Sequence, residues 1–169
     1  INVSGSKNAT LPILAATLLT DKVIILKNVP LVQDVYTMIN LLKFIGLNIE
    51  ISKKLKTLKT SSNKELKTIA PYNLLKTMRA GVLVLGPLLA KYKKAKVSLP
   101  GGCAIGTRPV NLHLFALEKL GAKIKIKNGY IHAFAKNGLK GNIIKFPSIS
   151  VGATENAILA AVSARGKTI

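Results

Sequence analysis

"DVYTMINLLKFIGLNIEI" (residues 34–51) decides the fold, because its plan occurs twice. Val35, Met38, Ile39, Leu42 and Ile45 recur at helical spacing and form one apolar stripe. Gly46 follows as a stop, since glycine readily takes the left-handed conformation in which helices end. Leu47, Ile49 and Ile51 then alternate with polar residues, the pattern of a half-buried strand. The second occurrence is "PVNLHLFALEKLGAKIKI" (residues 109–126). Val110, Leu114 and Leu117 mark its helical face, Gly121 ends it, and Ala122, Ile124 and Ile126 alternate. The two stop glycines lie 75 residues apart.

Outward from this pair the repeat extends. Residues 18–30 and 89–101 both run from a helix end into a strand and a turn. "ATENAILAAVSARGKTI" (153–169) resembles "NATLPILAATLLTDKVI" (8–24), about 145 residues earlier. The chain therefore reads as an α/β repeat of about 70 residues with helices packed on sheets. The units expected are 1–70 and 71–145, with a shortened third over 146–169 and no leading strand in the first. A repeat cut at this point leaves an apolar face uncovered, so the chain reads as a piece of something larger.

Composition narrows the class. Apolar residues make up 49% of the chain, which excludes a disordered segment. With no tryptophan and 5% aromatics, Ile, Leu, Val and Ala fill the core. The longest apolar run, 81–90, is too short to span a bilayer. One cysteine cannot form an internal disulfide, and the chain opens without a basic start and apolar run, so a cytoplasmic setting is expected. There are 26 Lys+Arg against 6 Asp+Glu, a net charge of +20, which favours anionic partners. The densest run, 53–67, has six lysines and no ring on which a base could stack, and reads as a solvated loop or strand edge.

Four stretches are candidates for chemistry. Cys103 sits in "PGGCAIGTRPV" (100–110). It is either a small buried hydrophobe or a thiol whose reactive form Arg108 favours, on a segment whose glycines let the backbone approach a ligand. "SGSKNAT" (4–10) places Lys7 and Asn8 at a helix start, either as an anion site or as ordinary capping by Ser6 or Asn8. Arg79 ends "KTMR" just before "AGVLVLG", where a guanidinium needs a partner or a cleft. "SISVGAT" (148–154) opens the third helix as "SGSKNAT" opens the first, for capping or for an anion. "ARGKT" (164–168) only looks like a phosphate loop, because Ala161 stands where the first glycine belongs. One cysteine and two distant histidines make no zinc site, so no metal and no cofactor are expected.

Taken together, "SGSKNATLPILAA", "NVPLVQDV", "APYNLLKTMRAG", "LPGGCAIGTRPVNLH", "LEKLGA" and "SVGATENA" resemble the UDP-N-acetylglucosamine enolpyruvyl transferase family, in order and through nearly all 169 residues. The sister family of 5-enolpyruvylshikimate-3-phosphate synthases shares the repeat but lacks the cysteine loop. The resemblance implies an inside-out α/β barrel of two domains, each with three βαβαββ units. This chain would hold two units and the start of a third, with the second domain absent. It implies transfer of the enolpyruvyl group of phosphoenolpyruvate to the 3′-hydroxyl of UDP-N-acetylglucosamine with release of phosphate, the first committed step of bacterial peptidoglycan synthesis. By the same resemblance Lys7 and Asn8 contact phosphoenolpyruvate, and Arg79 and Arg108 bind substrate anions. Cys103, on a lid, protonates the methylene, forms a covalent adduct and is alkylated by fosfomycin. Arg108, Pro109, Val110, Asn111 and Leu112, with Ser148, Ile149, Ser150 and Val151, line the sugar-nucleotide site.

Three residues depart from the family pattern. Gln33 stands where a basic residue is usual, Asn111 where an aspartate is, and Ser148 where a lysine is. None of the six carboxylates (Asp21, Asp34, Glu50, Glu65, Glu118, Glu155) matches the family's aspartate base, which belongs to the second domain. The partners expected are the two small-molecule substrates and a chain supplying the missing domain, with no membrane. A basic module for nucleic acid is the rival reading. It rests on charge alone, and scattered lysines with few aromatics weigh against it.

Overall fold

A computed structural model describes residues 3–62, 65–100 and 110–169. The first unit is α1 (Lys7–Ala16), β1 (Ile24–Leu26), α2 (Gln33–Ile45), β2 (Asn48–Ser52) and β3 (Thr57–Ser61). Its antiparallel sheet has the order β1-β3-β2. The apolar stripe of α2 is buried at Val35, Met38, Ile39, Leu42 and Ile45, as the spacing requires. Gly46 closes it at φ 125°, donating its N–H to the carbonyls of Leu42 and Lys43 at 3.1 Å. The lysine-rich run forms the β2–β3 turn, where Lys56 takes φ 49°, and continues into β3, where Lys59 reaches Glu50 at 3.6 Å.

The second unit begins with β4 (Ile69–Ala70) and α3 (Tyr72–Leu75). A 3-10 turn over Arg79–Val84 leads into α4 (Leu85–Tyr92) and β5 (Lys94–Ser98). Then come α5 (Asn111–Lys119), β6 (Lys123–Lys127) and β7 (Tyr130–Phe134). The sheet order is β4-β5-β7-β6, with β4 parallel to β5 and the rest antiparallel. Strands β5-β7-β6 repeat β1-β3-β2, and β4 is a leading strand with no counterpart among the described residues of the first unit.

A third crossover follows. Residues 139–144 run parallel to 165–169 on either side of α6 (Val151–Ala161). The N–H of Arg165 donates to the Leu139 carbonyl at 3.0 Å, Gly141 to Arg165 at 2.7 Å, Ile169 to Asn142 at 3.0 Å and Ile144 to Ile169 at 2.7 Å. "ARGKT" thus enters a strand-like ladder, not a phosphate loop.

The helices lie inside and the sheets outside. Helix α4 is buried on five consecutive residues, Leu85 to Leu89, which is a helix enclosed on most sides. Around it Leu14, Leu18, Met38, Ile39, Leu42 and Leu75 are fully buried, each contributing ~1.5–3 kcal/mol by leaving water. One expectation needs correcting: Ile126, assigned to the buried face of β6, is 56% exposed. It sits near the end of the outermost strand, where less of the helical layer covers it.

Candidate functional site

A cavity of about 540 Å³ opens where the 3-10 turn, α5 and α6 converge. Arg79 begins the turn while Gly81 to Val84 enter the core, so its side chain stays at the cavity wall. Val110 caps α5, whose first turn adds His113 to the lining. Ile149, Ser150, Val151 and Gly152 bring in the N-terminus of α6, and Glu155 lies one turn further on. The Ser150 hydroxyl caps this helix, accepting the Ala153 N–H at 3.3 Å.

Behind the wall lies Asn156, fully buried. Its Oδ1 accepts the Gly86 N–H at 2.9 Å, and its Nδ2 donates to the Val82 carbonyl at 3.4 Å and to His113 Nδ1 at 3.2 Å. A buried amide with its bonds made is tolerated, and one left unpaired is costly. Asn156 therefore ties α6 to the start of α4 and to α5. Gly86 is needed here, because a Cβ at that position would stand 2.7 Å from the Asn156 carbonyl oxygen.

The electrostatics favour an anion. Burial, and then the charge of Arg79, lower the His113 pKa to about 4, so the ring is neutral at pH 7. Its Nδ1 accepts from Asn156, which leaves the proton on Nε2. Burial raises the Glu155 carboxyl. A guanidinium, a neutral imidazole and a helix N-terminus give the site its positive character, and Glu155 is the one acidic side chain on its wall.

Of the residues singled out from sequence, Arg79, Val110, Ile149, Ser150 and Val151 meet at this cavity. Ser148 lines an adjoining space of about 370 Å³ with Phe146 and Thr154. Asn111 and Leu112 form the first turn of α5 without lining the cavity. Lys7 and Asn8 start α1 and do not line it either; Lys7 Nζ holds Asp34 at 2.8 Å, next to Gln33 at the head of α2. Cys103, Arg108 and Pro109 lie outside the described residues, but Pro100 and Val110, which bound that segment, both line the cavity. Sequence reasoning missed His113, Glu155 and Pro100 as lining residues. A histidine on the α5 stripe and the lone carboxylate of the third helix were the available signals. Among the described residues no group of His, Cys, Asp and Glu could hold a metal ion, and no helix is long and apolar enough to cross a membrane.

Comparison with known proteins bears on both fold and chemistry. The family model "EPSP synthase (3-phosphoshikimate 1-carboxyvinyltransferase)" matches residues 1–169. A UDP-N-acetylglucosamine 1-carboxyvinyltransferase of Pelagibacter ubique (strain HTCC1062) is 65% identical over 168 residues, covering 99% of this chain and 40% of the relative. One of Endomicrobium trichonymphae is 56% identical over 169 residues, again 40% of its length. The chain thus spans 40% of the length of these curated relatives. The enolpyruvyl transferase NikO from Streptomyces tendae matches in structure with a TM-score of 0.82 and 15% identity, over 98% of this chain and 38% of that one. The EPSP synthase of Acinetobacter baumannii gives 0.77 and 18%, over 99% and 39%. At such identities the likeness shows the fold, that of an α/β domain of the inside-out barrel.

Proposed function

Because the chain belongs to the EPSP synthase family, we propose that it forms part of a UDP-N-acetylglucosamine 1-carboxyvinyltransferase of the bacterial cytoplasm, acting in peptidoglycan synthesis. The observation that carries this is the anion-suited cavity, bounded by Pro100 and Val110 at the two ends of the cysteine segment. The named relatives at 65% and 56% identity support this acceptor over shikimate 3-phosphate.

In this reading Arg79 and Arg108 hold substrate anions, and the α6 N-terminus with Ile149, Ser150 and Val151 receives the sugar nucleotide. Pro109, Asn111, Leu112 and Ser148 flank it. Lys7 and Asn8 take phosphoenolpyruvate on the adjoining α1. The 3′-hydroxyl oxygen bonds to C2 of phosphoenolpyruvate while the Cys103 thiol gives its proton to C3. The C3 proton is then lost as the C2–O bond to phosphate breaks, leaving an enol ether and inorganic phosphate. Fixed cations and N–H groups stabilise charge as it develops, without reorganising at the moment of reaction. The base for the hydroxyl comes from outside residues 1–169. The pairing of β4 with β5 supports starting the second unit at Ile69 in place of residue 71, and the ladder of 139–144 with 165–169 supports starting the third near Leu139.

The test is phosphate release by the full-length protein with phosphoenolpyruvate and either acceptor. Turnover with UDP-N-acetylglucosamine, abolished by Cys103→Ala or by fosfomycin, is the expected result. Turnover with shikimate 3-phosphate alone, or with neither acceptor, overturns the reading.

A further inference from the structure

The outer face of the second sheet carries a pattern that the enolpyruvyl site does not use. On β7 the side chains pointing away from the core are Tyr130, His132 and Phe134, alternating with buried Ile131 and Ala133. On one side the register sets Lys127, Lys125 and Lys123 of β6 against these three. On the other it sets Lys96 of β5 against His132 and Lys94 against Phe134. Rings therefore stand in single file about 6.7 Å apart, with ammonium groups on strands about 4.8 Å to either side. Lys96 already sits 4.7 Å from the centre of the Tyr130 ring, and Phe134 is 51% exposed.

No carboxylate lies on β4, β5, β6 or β7. None of the five lysines is in an ion pair among the described residues. The first sheet, built on the same plan, differs. Its outward Lys59 stands between Ile25 and Glu50 and pairs with the latter, and its other outward positions on β2 and β3, such as Asn48, Ser52, Thr57 and Ser61, are uncharged. The positive face thus belongs to one sheet and is not a consequence of the fold.

We propose that this face binds single-stranded nucleic acid, with bases stacked on the β7 rings and phosphates held by the lysines of β5 and β6. A row of rings on a sheet flanked by cations is the platform that such ligands need, since every base has a face to stack and every nucleotide a charge to neutralise. An acidic polypeptide would use the lysines and be indifferent to the rings, whereas a lipid headgroup layer would also take up exposed rings and is told apart by comparing vesicles with oligonucleotides. This inference stands apart from the enolpyruvyl reading, whose cavity lies among the helices.

Fluorescence anisotropy of short labelled oligothymidylate and oligouridylate with the full-length protein tests it. Tyr130→Leu with Phe134→Leu keeps the apolar bulk and removes two rings; an affinity weaker by about thirtyfold or more at an unchanged salt slope is expected. Lys123→Gln, Lys125→Gln and Lys127→Gln together should lower the slope of log K against log salt by about 2. Ultraviolet cross-linking of the unaltered protein should map to residues 94–98 and 123–134. Affinity indifferent to the rings, cross-links confined elsewhere, or tighter binding to phosphatidylglycerol vesicles than to either oligonucleotide overturns the proposal.

Discussion

Acidification should destabilise this protein through one ring. Folding lowers the His113 pKa to about 4 from an ordinary 6.5. Between those values the unfolded chain binds the proton and the folded chain does not, so falling pH draws the equilibrium toward unfolding. Linkage over this window gives about 2 kcal/mol lost between pH 7 and pH 5, and about 3 kcal/mol by pH 4. For a chain of this size, 2 kcal/mol corresponds to a melting temperature about 4–8 °C lower. Glu155 acts in the opposite sense: burial raises its carboxyl, so stability it contributes at low pH is lost as pH rises. Comparison with His113→Gln separates the two, since that variant keeps Glu155 and an acceptor for Asn156 but cannot titrate. Urea unfolding at pH 7 and pH 5 should show the parent losing about 2 kcal/mol more than the variant. Proton NMR adds a direct readout: an anion bound beside Arg79 should raise the His113 midpoint by offsetting the guanidinium. Equal losses in parent and variant, or a His113 midpoint near 6.5 in the free protein, would refute the reasoning.

Two further outcomes are expected. Gly86→Ala forces a methyl against Asn156 and threatens the bond to the Gly86 N–H. Overpacking with a strained buried hydrogen bond costs about 2–5 kcal/mol, so circular dichroism should show a melting temperature lower by about 5–15 °C. Lys7→Met removes an ion pair whose side chains are 47% and 37% exposed; stability should change by less than about 1 kcal/mol, while kcat/KM for phosphoenolpyruvate falls about a hundredfold or more. Equal damage to stability and activity would make Lys7 a structural residue.

Much of the scaffold was legible because its signals are local. The stripe from Val35 to Ile45 and the stop at Gly46 are read from neighbours in the chain, and the structure returns α2 and its φ of 125°. Repetition then carried the plan from one unit to the next. Arg79 was legible as a cation that needs a cleft. The wall of the cavity was not. His113 meets Asn156 across 43 residues and Gly86 meets it across 70, and no periodicity reports a contact of that span. The aromatic file on β7 escaped for the same reason. Tyr130, His132 and Phe134 are sparse in sequence, and only the register places lysines on both sides of them.

The amide of Asn156 has a consequence for how this sequence can vary. Its oxygen occupies the space that a side chain at position 86 would need, and it accepts the N–H found there. A residue larger than glycine at 86 also meets the Asn156 backbone carbonyl, so it becomes admissible only when the amide is given up and α6 itself moves away from α4. Such a change releases His113 Nδ1 and the Val82 carbonyl together. Anyone redesigning the chain, and any lineage drifting through neutral substitutions, therefore meets positions 86 and 156 as a single choice, with the shape of the cavity wall settled by it.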